Sequence, residues 1–276
     1  MEKEGKYLYC LIDLSKTKRF PLLSKLEKFW PFSKLKNLGK PKTFGPLGIG
    51  GRGDVLHTIC HNDIALVVSD SPVKRYVTTT ENVFAHEVSI EAAMKLYTVL
   101  PIRFDTIAKN GEVAKRILEK EYETFANLLK DVEGKKELGV KAIFKERVIY
   151  KDILEKYDNI RILKEKIAAI PLVKTYNLRI KVGRMVEAAL KKEKELYKQK
   201  FLSALSPLAE KVKVNEPYGE RTFLNGAFFV NEDKESVFSQ KIDELDLKYG
   251  DKVKMKYVIV VPPFNFVSLK INTEDY

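Results

Sequence analysis

Few residues in this chain have the type and spacing that chemistry requires. Gly48-Ile-Gly-Gly-Arg-Gly53 matches the letters G-x-G-x-x-G. A dinucleotide site needs a strand before that loop and a helix after it. Here the branched, alternating run at 55–61 follows, which predicts a tight glycine turn feeding a strand. His57 and His61 have the i, i+4 spacing of a helical metal pair, with Cys60 between them. In a strand, four residues span about 13 Å, too far for two ligands of one ion. His86, the third histidine, lies among acidic neighbours in a helix-like segment. No G-x-S-x-G is present, and no Cys/His pair sits in a recognisable nucleophile signature. The residues motivate neither catalysis nor a cofactor.

Charge is the strongest physical signal. The chain carries a formal net charge of +12 over 276 residues. The stretch 16–42 holds nine lysines and arginines against Glu27, a local +8, which leaves an ordinary +4 for the rest. Phe20, Leu22, Leu23, Leu26, Phe29, Trp30, Phe32 and Leu35 interleave with those cations. A basic segment carrying Trp and Phe suits a membrane surface or a partner helix. Lys25, Lys28, Phe29 and Trp30 are its candidate contacts. The competing reading is a loop whose apolar side chains cover the N-terminal sheet.

The elements that must position these residues follow from periodicity. Residues 6–13 read as a strand, 14–44 as the basic insert, and 55–61 with 64–70 as a hairpin turned at Asn62-Asp63. Thr80 and Glu81 open a helix to about 97, with Val83, Val88, Ala92 and Leu96 on one face. Residues 98–104 read as a strand, and Asn110 caps a helix to about 130. Past Gly134 come a strand over 138–150, a helix over 152–170, a longer helix over 179–211, strands at 211–215 and 222–230, a helix over 233–247 closed by Gly250, and a last strand at 252–261. Two α+β domains are expected, 1–133 and 134–276. The second is ferredoxin-like with an extra long helix, and the first is a variant in which the insert replaces a helix. With 45% hydrophobic residues each can bury a core. No apolar run reaches about 18 residues, and the charged opening MEKEGK carries no signal-peptide core, so a cytosolic protein is expected. Cys10 and Cys60 are expected as buried thiols.

Several of these segments together resemble the gas-vesicle protein L/F family (GvpL/GvpF). Residues 6–12 (KYLYCLI) resemble its opening strand, 48–51 its glycine turn, and 63–70 with Pro72 its second hairpin strand. Residues 98–104 (TVLPIRF) resemble its most distinctive motif. Residues 137–141, then Gly183, Val186 and Glu187, then 223–230 and 262–267 continue the likeness in order along the chain. Asp105 stands where that family usually has glycine, and the basic insert is longer than its usual link. The resemblance implies an accessory protein of the gas vesicle, not an enzyme, without cofactor or small-molecule substrate. It implies binding to the major hydrophobic shell protein, with other gas-vesicle accessory proteins as further candidate partners, and location at the vesicle after a cytosolic stage. Arg103 and Phe104, inside the distinctive motif, join the candidate partner-binding residues. Arg103 is read either as a solvated strand-end residue or as the partner of a carboxylate. The rival reading is a tandem ferredoxin-like nucleic-acid module, with Tyr7, Tyr9 and Leu11 as a stacking platform.

Overall fold

The computed structural model describes residues 4–15, 42–43, 55–171, 174–267 and 269–276. Its contacts divide the chain into unit 1, Met1–Lys136 with Val261–Tyr276, and unit 2, Glu137–Val260. The expected C-terminal domain 134–276 therefore loses its last residues to unit 1. Their polar groups explain why. The Leu269 N–H donates to the Pro101 carbonyl (3.2 Å), and the Arg103 N–H donates to the Leu269 carbonyl (3.1 Å).

Unit 1 contains β1 (Glu4–Asp13), β2 (Lys42–Thr43), β3 (Val55–His61), β4 (Ile64–Pro72), α1 (Thr80–Met94), β5 (Val99–Pro101), β6 (Ile107–Ala108), α2 (Gly111–Lys120) and α3 (Tyr122–Val132). The sheet order is β2-β3-β4-β1-β5, with β6 also on β1. β1 pairs antiparallel with β4 and with β5. It is the central strand and is buried on both faces, so its apolar run is continuous rather than alternating. The β3–β4 hairpin turns through Asn62 at φ +52°, a left-handed conformation that asparagine tolerates.

Helix starts in this unit obey local chemistry. The Thr79 hydroxyl accepts the Asn82 N–H (3.2 Å) and the Asn110 side chain accepts the Val113 N–H (2.9 Å). Three details differ from the sequence reading. The helix expected from Asn110 to about 130 breaks at Glu121 (φ −100°, ψ 11°) into α2 and α3. The buried face of α1 is Ala85, His86, Ser89, Ile90, Ala92 and Ala93, whereas Val83, Val88 and Leu96 are only half-buried. Small side chains let α1 approach the sheet closely. The strand expected over 98–104 stops at Pro101: the Ile102 N–H still donates to the Tyr9 carbonyl on β1 (3.0 Å), but the Arg103 N–H turns to the Leu269 carbonyl (3.1 Å).

Unit 2 contains β7 (Lys135–Phe144, its first residues in unit 1), α4 (Glu146–Lys156), α5 (Asp158–Ala168), α6 (Tyr176–Leu205), β8 (Lys211–Val214), β9 (Thr222–Asn231), α7 (Glu235–Tyr249) and β10 (Val253–Val261). Its sheet order is β10-β7-β9-β8. The strand expected to reach Tyr150 ends at Phe144. Ile149 and Ile153 instead share the buried side of α4, an i, i+4 spacing that overrides the strand propensity of Val148 and Ile149. The helix expected over 152–170 is interrupted at Tyr157 (φ −113°, ψ 86°). The long helix is α6, and it ends at Leu205 rather than near 211. Gly250 closes α7 in the right-handed region, not as a left-handed cap; its N–H donates to the Asp246 carbonyl (2.7 Å). The core gathers Phe144, Phe201, Phe223, Phe228 and Phe238 around the sheet. The α+β class read from the sequence is the one observed. Among the described residues no helix is long and apolar enough to cross a membrane.

Candidate functional site

The turn after β5 is specified by polar contacts on several sides. Ile102 forms a parallel bridge with Leu269. Pro101 has no N–H to give, so its contribution to that edge is a carbonyl. Asp105 then adopts φ +66°, the left-handed region. Aspartate enters it at modest cost, and here two hydrogen bonds hold it there. Its N–H donates to the Tyr7 hydroxyl (3.0 Å), and its carboxylate accepts the Tyr76 N–H (2.8 Å). The Asp105 side chain thus fastens the turn.

Below the turn the polar chain continues into the core. The Tyr7 oxygen lies 3.2 Å from His86 Nδ1, and His86 Nε2 lies 3.1 Å from the Ile102 carbonyl. A carbonyl only accepts, so Nε2 carries the proton and Nδ1 accepts from the Tyr7 hydroxyl. His86 is buried, stacked on Tyr9 with ring centroids 5.7 Å apart. Burial pushes its pKa down to about 4, partly opposed by the Ile102 carbonyl bond. Burial likewise raises the Tyr7 hydroxyl far above the usual phenol range. Tyr9 continues to Ser69 (3.0 Å), and Ser69 to Ser71 (3.1 Å). Gly5 on β1 makes the approach of β6 possible: a Cβ there would lie 2.6 Å from the Ala108 carbonyl oxygen.

Above this floor opens a cleft of about 910 Å³, entirely within unit 1. Its walls are the loop after β4 (Val73, Lys74, Arg75, Thr78), the turn 103–107, and residues 270–274. Lys74, Arg75, Arg103 and Lys270 are exposed around it, with Asp105 and Glu274 as the only carboxylates on the walls among the described residues. Phe104 is half-buried, its ring edge-on to His86 (5.7 Å) and Tyr7 (6.3 Å). Thr273 ties the third wall down, its hydroxyl donating to the Ile107 carbonyl (2.8 Å). Farther along, the Tyr276 hydroxyl donates to Glu121 (2.8 Å), and the Arg116 guanidinium donates to the Tyr276 carbonyl (2.6 Å).

The structure brings Arg103 and Phe104 together in this cleft. The Arg103 guanidinium is exposed and makes no ion pair with a described residue. Lys25, Lys28, Phe29 and Trp30, and the glycine motif at 48–53, lie outside the described residues. The strand expected to carry His57, Cys60 and His61 is β3. Cys60 faces Thr58 (3.8 Å between Sγ and Oγ1), and burial raises its thiol pKa. Cys10 is wholly buried and its thiol is pushed up for the same reason, whereas Cys60 is only half-buried. Among the described residues no three His, Cys, Asp or Glu side chains gather as a metal site. Tyr7, Tyr9 and Leu11 are fully buried, so they offer no platform on which bases could stack. Sequence reasoning missed Lys74, Arg75 and Lys270, which no motif connects to Arg103. It also missed the partnership of Tyr7 with His86; the departure at Asp105 was the one signal near it.

The cleft presents exposed cations and a half-buried apolar ring over a hydrogen-bonded floor, which is equipment for binding. A family model described as "Gas vesicle synthesis protein GvpL/GvpF" matches residues 5–268. Gas vesicle protein F of Nostoc sp. is 26% identical over 204 residues, covering 73% of this chain and 83% of that protein. Gas vesicle protein F1 of Halobacterium salinarum is 24% identical over 231 residues, covering 83% and 88%. The crystal structure of the gas vesicle protein GvpF from Anabaena sp. PCC7120 superposes with a TM-score of 0.70 at 21% identity, covering 97% of this chain and all of that one. The GvpF structure from Microcystis aeruginosa gives 0.64 at 20% identity, covering 96% and 99%.

Proposed function

The chain belongs to the gas vesicle synthesis protein GvpL/GvpF family, and we propose on that premise that it binds the hydrophobic shell protein of the gas vesicle and supports vesicle assembly. The observation that carries the proposal is the reach of the match, residues 5–268, which includes most of both units and two of the three cleft walls, 73–78 and 103–107. A shell subunit with a wide apolar face aggregates unless that face is covered before assembly. This chain exposes apolar side chains suited to such cover: Val73, Val77 and Phe84 in unit 1, and Ile162, Ile180 and Leu247 in unit 2. The basic segment with Lys25, Lys28, Phe29 and Trp30 supplies further contacts in this reading. The work asked of the protein is covering and delivering a partner; it breaks no bonds and uses no cofactor.

The test is to dilute purified shell protein out of denaturant with and without the intact chain and to follow light scattering. Suppressed scattering and a co-eluting complex are expected. Unchanged scattering with no complex overturns the proposal.

A further inference from the structure

The cleft in unit 1 has a charge and shape that the covering of an apolar shell subunit does not use. We propose that it binds a short acidic segment of a partner protein, whose carboxylates meet Arg75, Arg103 and Lys270 while an apolar side chain packs beside Phe104.

The walls are built rather than incidental. Asp105 is locked from above and below by Tyr76 and Tyr7, and the opposite wall is fastened through Leu269 and Thr273. A cleft of about 910 Å³ is at the upper end of the range for single small ligands, which suits several residues of a peptide. Guanidinium groups are planar forks that match carboxylates with two parallel hydrogen bonds, so Arg75 and Arg103 favour that group over a diffuse negative field. Glu274 and Asp105 on the walls oppose a continuous run of phosphates, and Phe104, Ile107 and Ile271 offer apolar contact that a sugar-phosphate backbone cannot use. Charge also excludes the chain's own basic segment, whose +8 has the same sign as the cleft. The site does not depend on the shell-protein reading, and its test uses no shell protein, so the two stand or fall separately.

The experiment measures fluorescence anisotropy of the intact chain with a labelled peptide of alternating glutamate and leucine, and with its glutamine counterpart. The glutamate peptide is expected to bind and the glutamine peptide to bind much more weakly. The double variant Arg75→Glu/Arg103→Glu should weaken glutamate-peptide binding by roughly tenfold or more. Lys164→Glu, an exposed position on α5 in unit 2, should leave binding unchanged and shows that net charge alone is not the cause. Melting curves check that each variant is folded; should the double variant fail to fold, Arg103→Gln alone must still give a measurable loss. Equal binding of the two peptides, no loss in the variants, an equal loss in Lys164→Glu, or tighter binding of labelled oligouridylate than of the glutamate peptide each overturns the proposal.

Discussion

Unit 1 and unit 2 share an order of strands, β3-β4-β1-β5 in one and β8-β9-β7-β10 in the other, yet their interiors are organised by different chemistry. Unit 2 fills its core with rings. Phe144 and Phe201 meet Phe223 at centroid distances of 4.7 and 5.1 Å, and Phe228 meets Phe238 at 5.2 Å. One of its buried carboxylates, Glu193, is held by Lys156 (2.5 Å) and the Tyr157 hydroxyl (2.8 Å). Unit 1 runs a line of hydrogen bonds from β1 through α1 to the turn at Asp105, each group engaged on both sides. Ring packing is tolerant of small displacements. A line of directional bonds is not, and it fixes one loop geometry. The unit that carries the cleft is the one whose interior specifies a loop.

The contrast can be broken most forcefully in unit 2. Phe201 is fully buried between Phe223 and Tyr249. Phe201→Ala should cost about 3–5 kcal/mol. Hydrogen exchange resolved along the chain should show lost protection in β7 and β9 while β1 and β4 keep theirs; equal loss in both units would mean the cores are not separate.

Acid should act the other way round. The pKa of His86 falls from 6.5 to about 4 on folding, so between those values the unfolded chain binds the extra proton. Stability contributed by neutral His86 is fully present above about pH 6.5 and is lost as the pH falls toward 4, a change of about 3 kcal/mol. Protection of β1 amides should fall more over that interval than protection in unit 2, and a uniform decline would remove histidine burial as the distinction.

A smaller effect sharpens the role of the turn. Asp105→Ala keeps the left-handed backbone but loses the bond to Tyr76, and should cost about 2 kcal/mol. Asp105→Gly should cost less, because glycine accepts φ +66° freely. A melting series that ranks glycine below alanine would contradict the assignment. The smallest difference is at a helix start. Asn110→Ala should cost about 1 kcal/mol in thermal melts. The helices α4 to α7 begin without a side-chain cap bond, so unit 2 offers no equivalent loss.

What the sequence made legible was local. Asn62-Asp63 announced the hairpin, Asn110 announced α2, and the alternation of strands and helices announced the α+β class. Propensity misled at Val148 and Ile149, where branched residues suggested strand and burial against the sheet imposed helix. The breaks at Glu121 and Tyr157 carry no glycine or proline to betray them. The candidate site was half legible. Arg103 and Phe104 stood out within a motif, but their neighbours come from residues 73–78 and 270–274, which only folding brings near. Tyr7 and His86 are 79 positions apart, and hydrogen bonds at that separation leave no periodic trace.

The return of residues 261–276 to unit 1 has a consequence for the order in which the protein is built. The wall of the cleft that carries Lys270 is made after all of unit 2, so the cleft does not exist on a growing chain until synthesis has passed Leu269. Closing so long a loop through a disordered chain would be entropically slow. Unit 2 shortens it. β7 and β10 are neighbours, and the Lys145 N–H just past the end of β7 donates to the Lys252 carbonyl just before the start of β10 (2.8 Å). The two strands run in opposite directions, so the points where the chain enters and leaves unit 2 lie side by side. Once unit 2 folds, the loop left to close is short, and the cleft marks a chain on which unit 2 has already been made.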